Sequence, residues 1–221
     1  MRALFVAPHP DDDVIGCGGS IIRHIRKGHT VTVVYMTSGE AGSLVHPKEE
    51  LRLIREAEAR EAASFMGFDD LIFLRNADGG LSADAENVTC LTRIIRAKRP
   101  EILYFPHTGE GCRDHRITHD ICADAVKRAR GPWFQECPGE PWSVGIVLCY
   151  EVWTPITEVS YTEDISDCID LKLDALRRHR SQLTLVPYDE AVRGLNRYRG
   201  AMTGRGIYCE CFQILTVEKI F

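Results

Sequence analysis

The chain has 221 residues, 44% hydrophobic and 27% charged, which excludes a disordered, collagen-like or coiled-coil protein and allows a well-filled core. With 32 Asp plus Glu against 27 Lys plus Arg, its net charge of −5 argues against binding a nucleic-acid backbone. No apolar run approaches the ~20 residues of a membrane span. The opening Met1-Arg2-Ala3-Leu4-Phe5-Val6 is charged too early for a signal peptide, so a soluble, cytoplasmic protein is expected.

In chain order, residues 2–7 are a short apolar run stopped by Pro8 and Pro10, a buried strand, and a helical pattern over about 16–27 places Ile21, Ile22 and Ile25 on one face. Residues 30–36 are dense in β-branched side chains, a second strand. A long helix over about 47–66 ends at Gly67, a natural left-handed stop. Residues 71–74 make a third strand, 85–98 a helix, 102–105 a fourth strand, and about 115–130 another helix. The Pro/Gly-rich stretch 131–143 reads as a surface loop, 144–150 as a fifth strand, 166–180 and 188–199 as helices, and 210–217 as a final strand. Strands that are apolar throughout and alternate with helices predict an α/β fold, a mostly parallel sheet covered on both faces, in one domain over 1–221.

The nine cysteines are odd in number, form no CxxC pair, and mostly lie in apolar segments, such as Cys90, Cys122, Cys149 and Cys168. They are expected to be reduced core residues, not a disulfide framework. Cys209 and Cys211 flank Glu210 at strand spacing, on one face of the last strand.

Parallel sheets bind ligands beyond the carboxyl ends of their strands. Strand one ends in Pro8-His9-Pro10-Asp11-Asp12-Asp13. Three adjacent buried carboxylates repel one another, and a divalent cation resolves that conflict. His9 and Asp12 can converge on one ion while Asp11 faces its outer ligand; a plain acidic helix start is the alternative. Gly16-Cys17-Gly18-Gly19 fails as a dinucleotide fingerprint, because the third position falls on Ile21. Beyond strand four, Asp114-His115-Arg116-Ile117-Thr118-His119 offers two imidazoles at i,i+4, either of which can complete the site. Two His and one Asp leave a coordination position open, as catalytic zinc requires.

With these motifs the chain resembles the LmbE/PIG-L family of zinc-dependent N-acetylglucosaminyl deacetylases, which share an AHPDDE-type first motif and an HxDH second motif. Thr37-Ser38-Gly39-Glu40-Ala41-Gly42 resembles the family's T-x-G-E-x-G loop, and Arg55-Glu56-Ala57-Glu58-Ala59 its R-x-x-E-A helix. Lys172 through His179-Arg180-Ser181-Gln182 and Tyr208-Cys209-Glu210-Cys211-Phe212 resemble its closing motifs, so the likeness runs nearly end to end. It implies a Rossmann-like three-layer α/β/α fold and a Zn2+ ion held by His9, Asp12 and His115. It implies Asp11 as general base, Asp114 as the acid orienting an imidazole, and Arg55 at the substrate. Asp13 stands where Glu is usual. Cys112 stands where the family has the first His of HxDH, and a neutral thiol is a weak donor.

The expected activity is removal of an N-acetyl group from an amino sugar or its conjugate, with metal-bound water attacking and Asp11 accepting its proton. Glu40, Cys112, Glu151 and His179 join Arg55 as candidate substrate contacts, and Trp153 can stack on a sugar or pack under a loop. Arg193, Arg197, Arg199 and Arg205 are better explained by salt bridges than by an anionic substituent. Substrate choice is expected from loops 40–50, 75–84 and 131–143; a homo-oligomer stays open. The alternatives are an amidase on another sugar or thiol conjugate, and, because of Cys112, a metal-retaining sugar-binding protein. Magnesium-dependent phosphoryl transfer is disfavoured by imidazole ligands.

Overall fold

The structure is a computed structural model that describes residues 1–134, 136–184 and 186–217. In chain order its elements are β1 (Arg2–Ala7), α1 (Asp12–Arg26), β2 (Thr30–Thr37), α2 (Lys48–Met66), β3 (Leu71–Asn76), α3 (Ala85–Lys98) and β4 (Ile102–Pro106). There follow α4 (Arg113–Arg130), β5 (Ile146–Tyr150), β6 (Tyr161–Asp164), α5 (Ile169–Leu176), α6 (Arg180–Leu183), α7 (Tyr188–Thr203) and β7 (Cys209–Val217). The strands form one sheet in the order β3-β2-β1-β4-β5-β7-β6. The first five are parallel, and β7 and β6 add an antiparallel edge.

Strands buried on both faces explain why their sequences are apolar without alternation. Ala3, Phe5 and Ala7 of β1, with Val33 and Tyr35 of β2, pack under α1 and α5. Leu4 and Val6, with Val34 and Met36, face α3 and α4 in a second core. Gly67, in the left-handed region at φ 97°, stops α2 where the sequence places the stop.

Three expectations shift. Helix α1 begins at Asp12 rather than near residue 16, its first turn carrying Asp12 and Asp13 at the positive end of the helix dipole. The helix expected over 166–180 is α5 followed by the single turn α6, with His179 capping the second piece. The short polar edge strand β6 is absent from the sequence reading, since four residues pairing along one side carry no apolar run. All nine cysteines are free and seven are buried. Among the described residues no helix is long and apolar enough to cross a membrane.

Candidate metal centre

Between β1 and β4 the winding of the sheet reverses: β2 and β3 lie to one side, β4 and β5 to the other. A crevice opens at such a switch point beyond the carboxyl ends of the strands. The turn leaving β1 is pinned at its start, because Pro8 O accepts both the N–H and the hydroxyl of Thr37 at 3.0 Å. At its end Asp11 has φ 139°, a region costly for a residue with a side chain. Buried Arg55 of α2 holds it there, donating to Pro10 O at 2.8 Å, Asp11 Oδ1 at 3.1 Å and Gly39 O at 3.0 Å. Gly39, at φ 64°, lies so close to the guanidinium that any side chain there would collide with it.

Past this turn three residues converge. His9 Nδ1 is 3.1 Å and His115 Nε2 3.2 Å from the same atom, Asp12 Oδ2. One ligand atom from each residue falls within 4.8 Å of the others, a spacing that suits one four-coordinate ion. Asp12 Oδ1 and both ring nitrogens of His115 are buried and make no hydrogen bond among the described residues. Buried polar atoms are nearly always satisfied, so a cation ligated between these side chains accounts for atoms that the protein itself leaves unanswered. The donor set of two imidazoles and one carboxylate fits a divalent transition-metal ion.

Behind each imidazole stands a carboxylate. His9 Nε2 is 3.1 Å from Asp78 Oδ1 and 3.6 Å from Asp114 Oδ2. Asp78 is held by the N–H of Ala41, and Asp114 by that of Gly79. His115 Nδ1 is 3.6 Å from Glu110 Oε2, and both side chains are fully buried. Carboxylates placed this way fix the tautomer and aim of a ligating imidazole. Asp78 and Asp114 thus meet His9 at its other nitrogen, and the three form a second His/Asp group whose atoms lie within 4.8 Å of one another. The sequence reading missed Asp78 and Glu110: the first lies in what reads as an ordinary Asp-Gly-Gly turn, the second in a loop five residues before His115.

The model of the GlcNAc-PI de-N-acetylase (PIG-L) family matches residues 4–126, more than half of the chain and both halves of this centre. The chain belongs to the PIG-L family. It is 30% identical to the diacetylchitobiose deacetylase of Thermococcus kodakarensis, over 92% of this chain and 79% of that protein. It is also 30% identical to the 1D-myo-inositol 2-acetamido-2-deoxy-alpha-D-glucopyranoside deacetylase of a Mycobacterium strain, over 84% of this chain and 75% of that one. The structure of N,N'-diacetylchitobiose deacetylase from Pyrococcus horikoshii, solved with an inhibitor, superposes with a TM-score of 0.88 at 30% identity, covering 97% of this chain and 83% of the other.

In this PIG-L chain the remaining candidates fall in distinct places. His9, Asp11, Asp12, Arg55 and Cys112 line one open cleft, together with Asp78, Trp153, Gln182 and Tyr188. Of the two imidazoles on α4 it is His115 that meets Asp12; His119 turns its Nδ1 to Pro106 O at 3.0 Å. His107 points its Nε2 at Thr154 O, and neither His107 nor His119 is among the described residues that line the cleft, whereas Cys112, which caps α4, is. Glu40 accepts the N–H of Asp78 and so braces the loop rather than the cleft. Glu151 lies outside the cleft: its carboxylate is taken by Arg199 and the N–H of Ile156. His179 is wholly buried, and neither ring nitrogen has a hydrogen-bond partner among the described residues. Loop 131–143 lies away from the cleft, because it joins α4 to the start of β5 at the amino ends of the parallel strands, where Arg96 binds the carbonyls of Gly131, Trp133 and Cys137. Position 135 of that loop is outside the described residues.

Burial pushes the Asp11 carboxyl up to about 7, against the pull of Arg55. Asp12 is buried as deeply, yet His115 and His9 outweigh that cost and hold it well below the carboxylate range. Neighbouring Asp11 and Asp12 thus differ in kind, one inclined to hold a proton and the other to stay ionised. Burial also raises Asp13 to about 7, and Tyr35 donates to it at 3.0 Å. Burial and the nearby Arg55 charge lower His179 to about 3, so it is neutral at physiological pH.

Proposed function

We propose that the chain is a zinc-dependent hydrolase that removes the N-acetyl group from an amino sugar or amino-sugar conjugate. The observation that carries the proposal is the cage of His9, Asp12 and His115, with its unanswered buried atoms, beside Asp11 in an open cleft. Bound there, zinc supplies a water that ionises near neutral pH and an electrophile for the acyl oxygen.

The chain's own groups do the rest. Asp11, buried beside the cage and held by Arg55, takes the proton of the attacking water and returns it to the departing amine. Arg55 keeps Asp11 in its strained conformation; both its terminal nitrogens are engaged in doing so, which makes it a positioning residue first. Asp114 and Asp78 hold His9, and Glu110 holds His115. Buried His179 packs in the charge field of Arg55 and Asp12, and Glu40 supports Asp78. We also read residues 1–221 as one catalytic domain.

A second reading, a metal-retaining sugar-binding protein, rests on Cys112, whose thiol lines the cleft as a weak donor. Amine release from N-acetylglucosamine and N,N'-diacetylchitobiose separates the two. Loss of activity on chelation and its return with zinc support the deacetylase. Sugar binding without amine release supports the binder.

A further inference from the structure

The segment after β5 sends two side chains into opposite surroundings. Glu151 turns inward to Arg199, whereas Trp153 stands on the cleft wall, 42% exposed. Its ring centroid is 6.5 Å from that of His115 and 4.9 Å from that of Tyr188, which leans on it at 49°. An indole left this open in a cleft otherwise rich in carboxylates holds apolar surface against water.

The backbone behind the indole is held with unusual firmness. The buried carboxylate of Glu110 accepts the N–H groups of Val152 at 2.7 Å, Trp153 at 3.2 Å and Thr154 at 3.3 Å. The same carboxylate faces His115 Nδ1 at 3.6 Å. One buried group therefore sets both the aim of a metal ligand and the distance from it to the indole.

We propose that Trp153, buttressed by Tyr188, is the platform on which the pyranose ring of the substrate rests. The C–H face of such a ring is apolar and matches an indole, while its hydroxyl rim faces the polar side of the cleft. This deepens the deacetylase reading and takes the kind of ligand from it.

The test compares wild type with Trp153→Ala and Trp153→Phe, each checked for folding by thermal melting. For Trp153→Ala the KM for N-acetylglucosamine is expected to rise about tenfold, with kcat falling far less, since contact with a remote ring is made in ground and transition states alike. Inhibition by glucosamine weakens in parallel, while inhibition by acetate, too small to reach the indole, stays within about twofold. Trp153→Phe recovers most of the loss. Equal shifts for glucosamine and acetate, or none, overturn the platform. If wild type releases no amine from any sugar, the deacetylase reading fails by itself. Calorimetry with N-acetylglucosamine then decides the platform: about tenfold weaker binding in Trp153→Ala supports it, and equal or absent binding overturns it.

Discussion

Two buried ionic clusters sit within this fold, and they are built to opposite rules. In the first, Lys172 of α5 donates to Glu210 at 2.8 Å and Asn196 at 2.9 Å, and Glu210 also accepts the N–H groups of Gly19 and Ser20 and the Ser20 hydroxyl. No buried polar atom of that cluster lacks a partner among the described residues. It ties α1, α5, α7 and β7 together and asks for nothing from outside. In the second, at the mouth of β1 and β4, Asp12, Asp114 and His115 keep buried atoms without hydrogen-bond partners among the described residues. Burial of charge alone does not mark a functional site; what sets this cluster apart is that several unpartnered buried atoms converge on one point.

The largest effect that tests this contrast is on stability. Lys172→Met leaves Glu210 buried without its cation, so denaturant unfolding should show a loss of roughly 3–5 kcal/mol while the folded fraction still binds zinc. A loss below about 1 kcal/mol would mean the cluster is not the staple described. Next comes catalysis: Asp11→Asn should lower kcat at least ~10²-fold, with metal content by elemental analysis equal to wild type. Turnover retained at full metal loading removes Asp11 from proton transfer. Smaller again, Glu110→Gln should weaken zinc binding ~10–100-fold, read by competition with a chromophoric chelator, and Glu110→Asp should recover part of it. Unaltered affinity would reduce Glu110 to a brace for the Trp153 backbone.

The smallest effect is a pH dependence on α1, one turn beyond Ser20 of the first cluster. Burial, with the charges of His29 and Lys27, lowers His24 to about 4, and its Nε2 lies 3.0 Å from the Tyr104 hydroxyl. Its unfolded value is near 6.5. The unfolded chain therefore takes up the proton first, so the stability gained from neutral His24 is complete above about pH 6.5 and drains away as pH falls toward 4. Between pH 6.5 and 5.5 the loss is roughly 1 kcal/mol. His24→Gln should flatten that part of the stability profile; an unchanged slope would assign it to other groups.

The parallel strands were legible in the sequence because burial on both faces leaves an unbroken apolar run, as in Leu4-Phe5-Val6 and Val31 through Met36. The short edge strand β6 was not, since pairing along one side needs no such run. At the metal centre, His9, Asp11, Asp12 and His115 could be read because each lies in a compact charged motif at a strand end. Asp78 and Glu110 could not, because what makes them matter is contact with His9 and His115 across 69 and 5 residues of chain, a property of the fold and not of spacing. Glu151 misled for the mirror reason: it sits at the right strand end, but Arg199, 48 residues on, takes its carboxylate.

The claim on which the rest depends is that His9, Asp12 and His115, the last two with buried atoms that no described residue answers, are ligands to one ion. Titration of zinc into the chelator-stripped chain, followed by calorimetry, tests it directly. One equivalent bound by wild type, lost in Asp12→Ala and kept in Asp11→Asn, is the predicted result. Zinc uptake that Asp12→Ala leaves intact, or none by wild type, contradicts it.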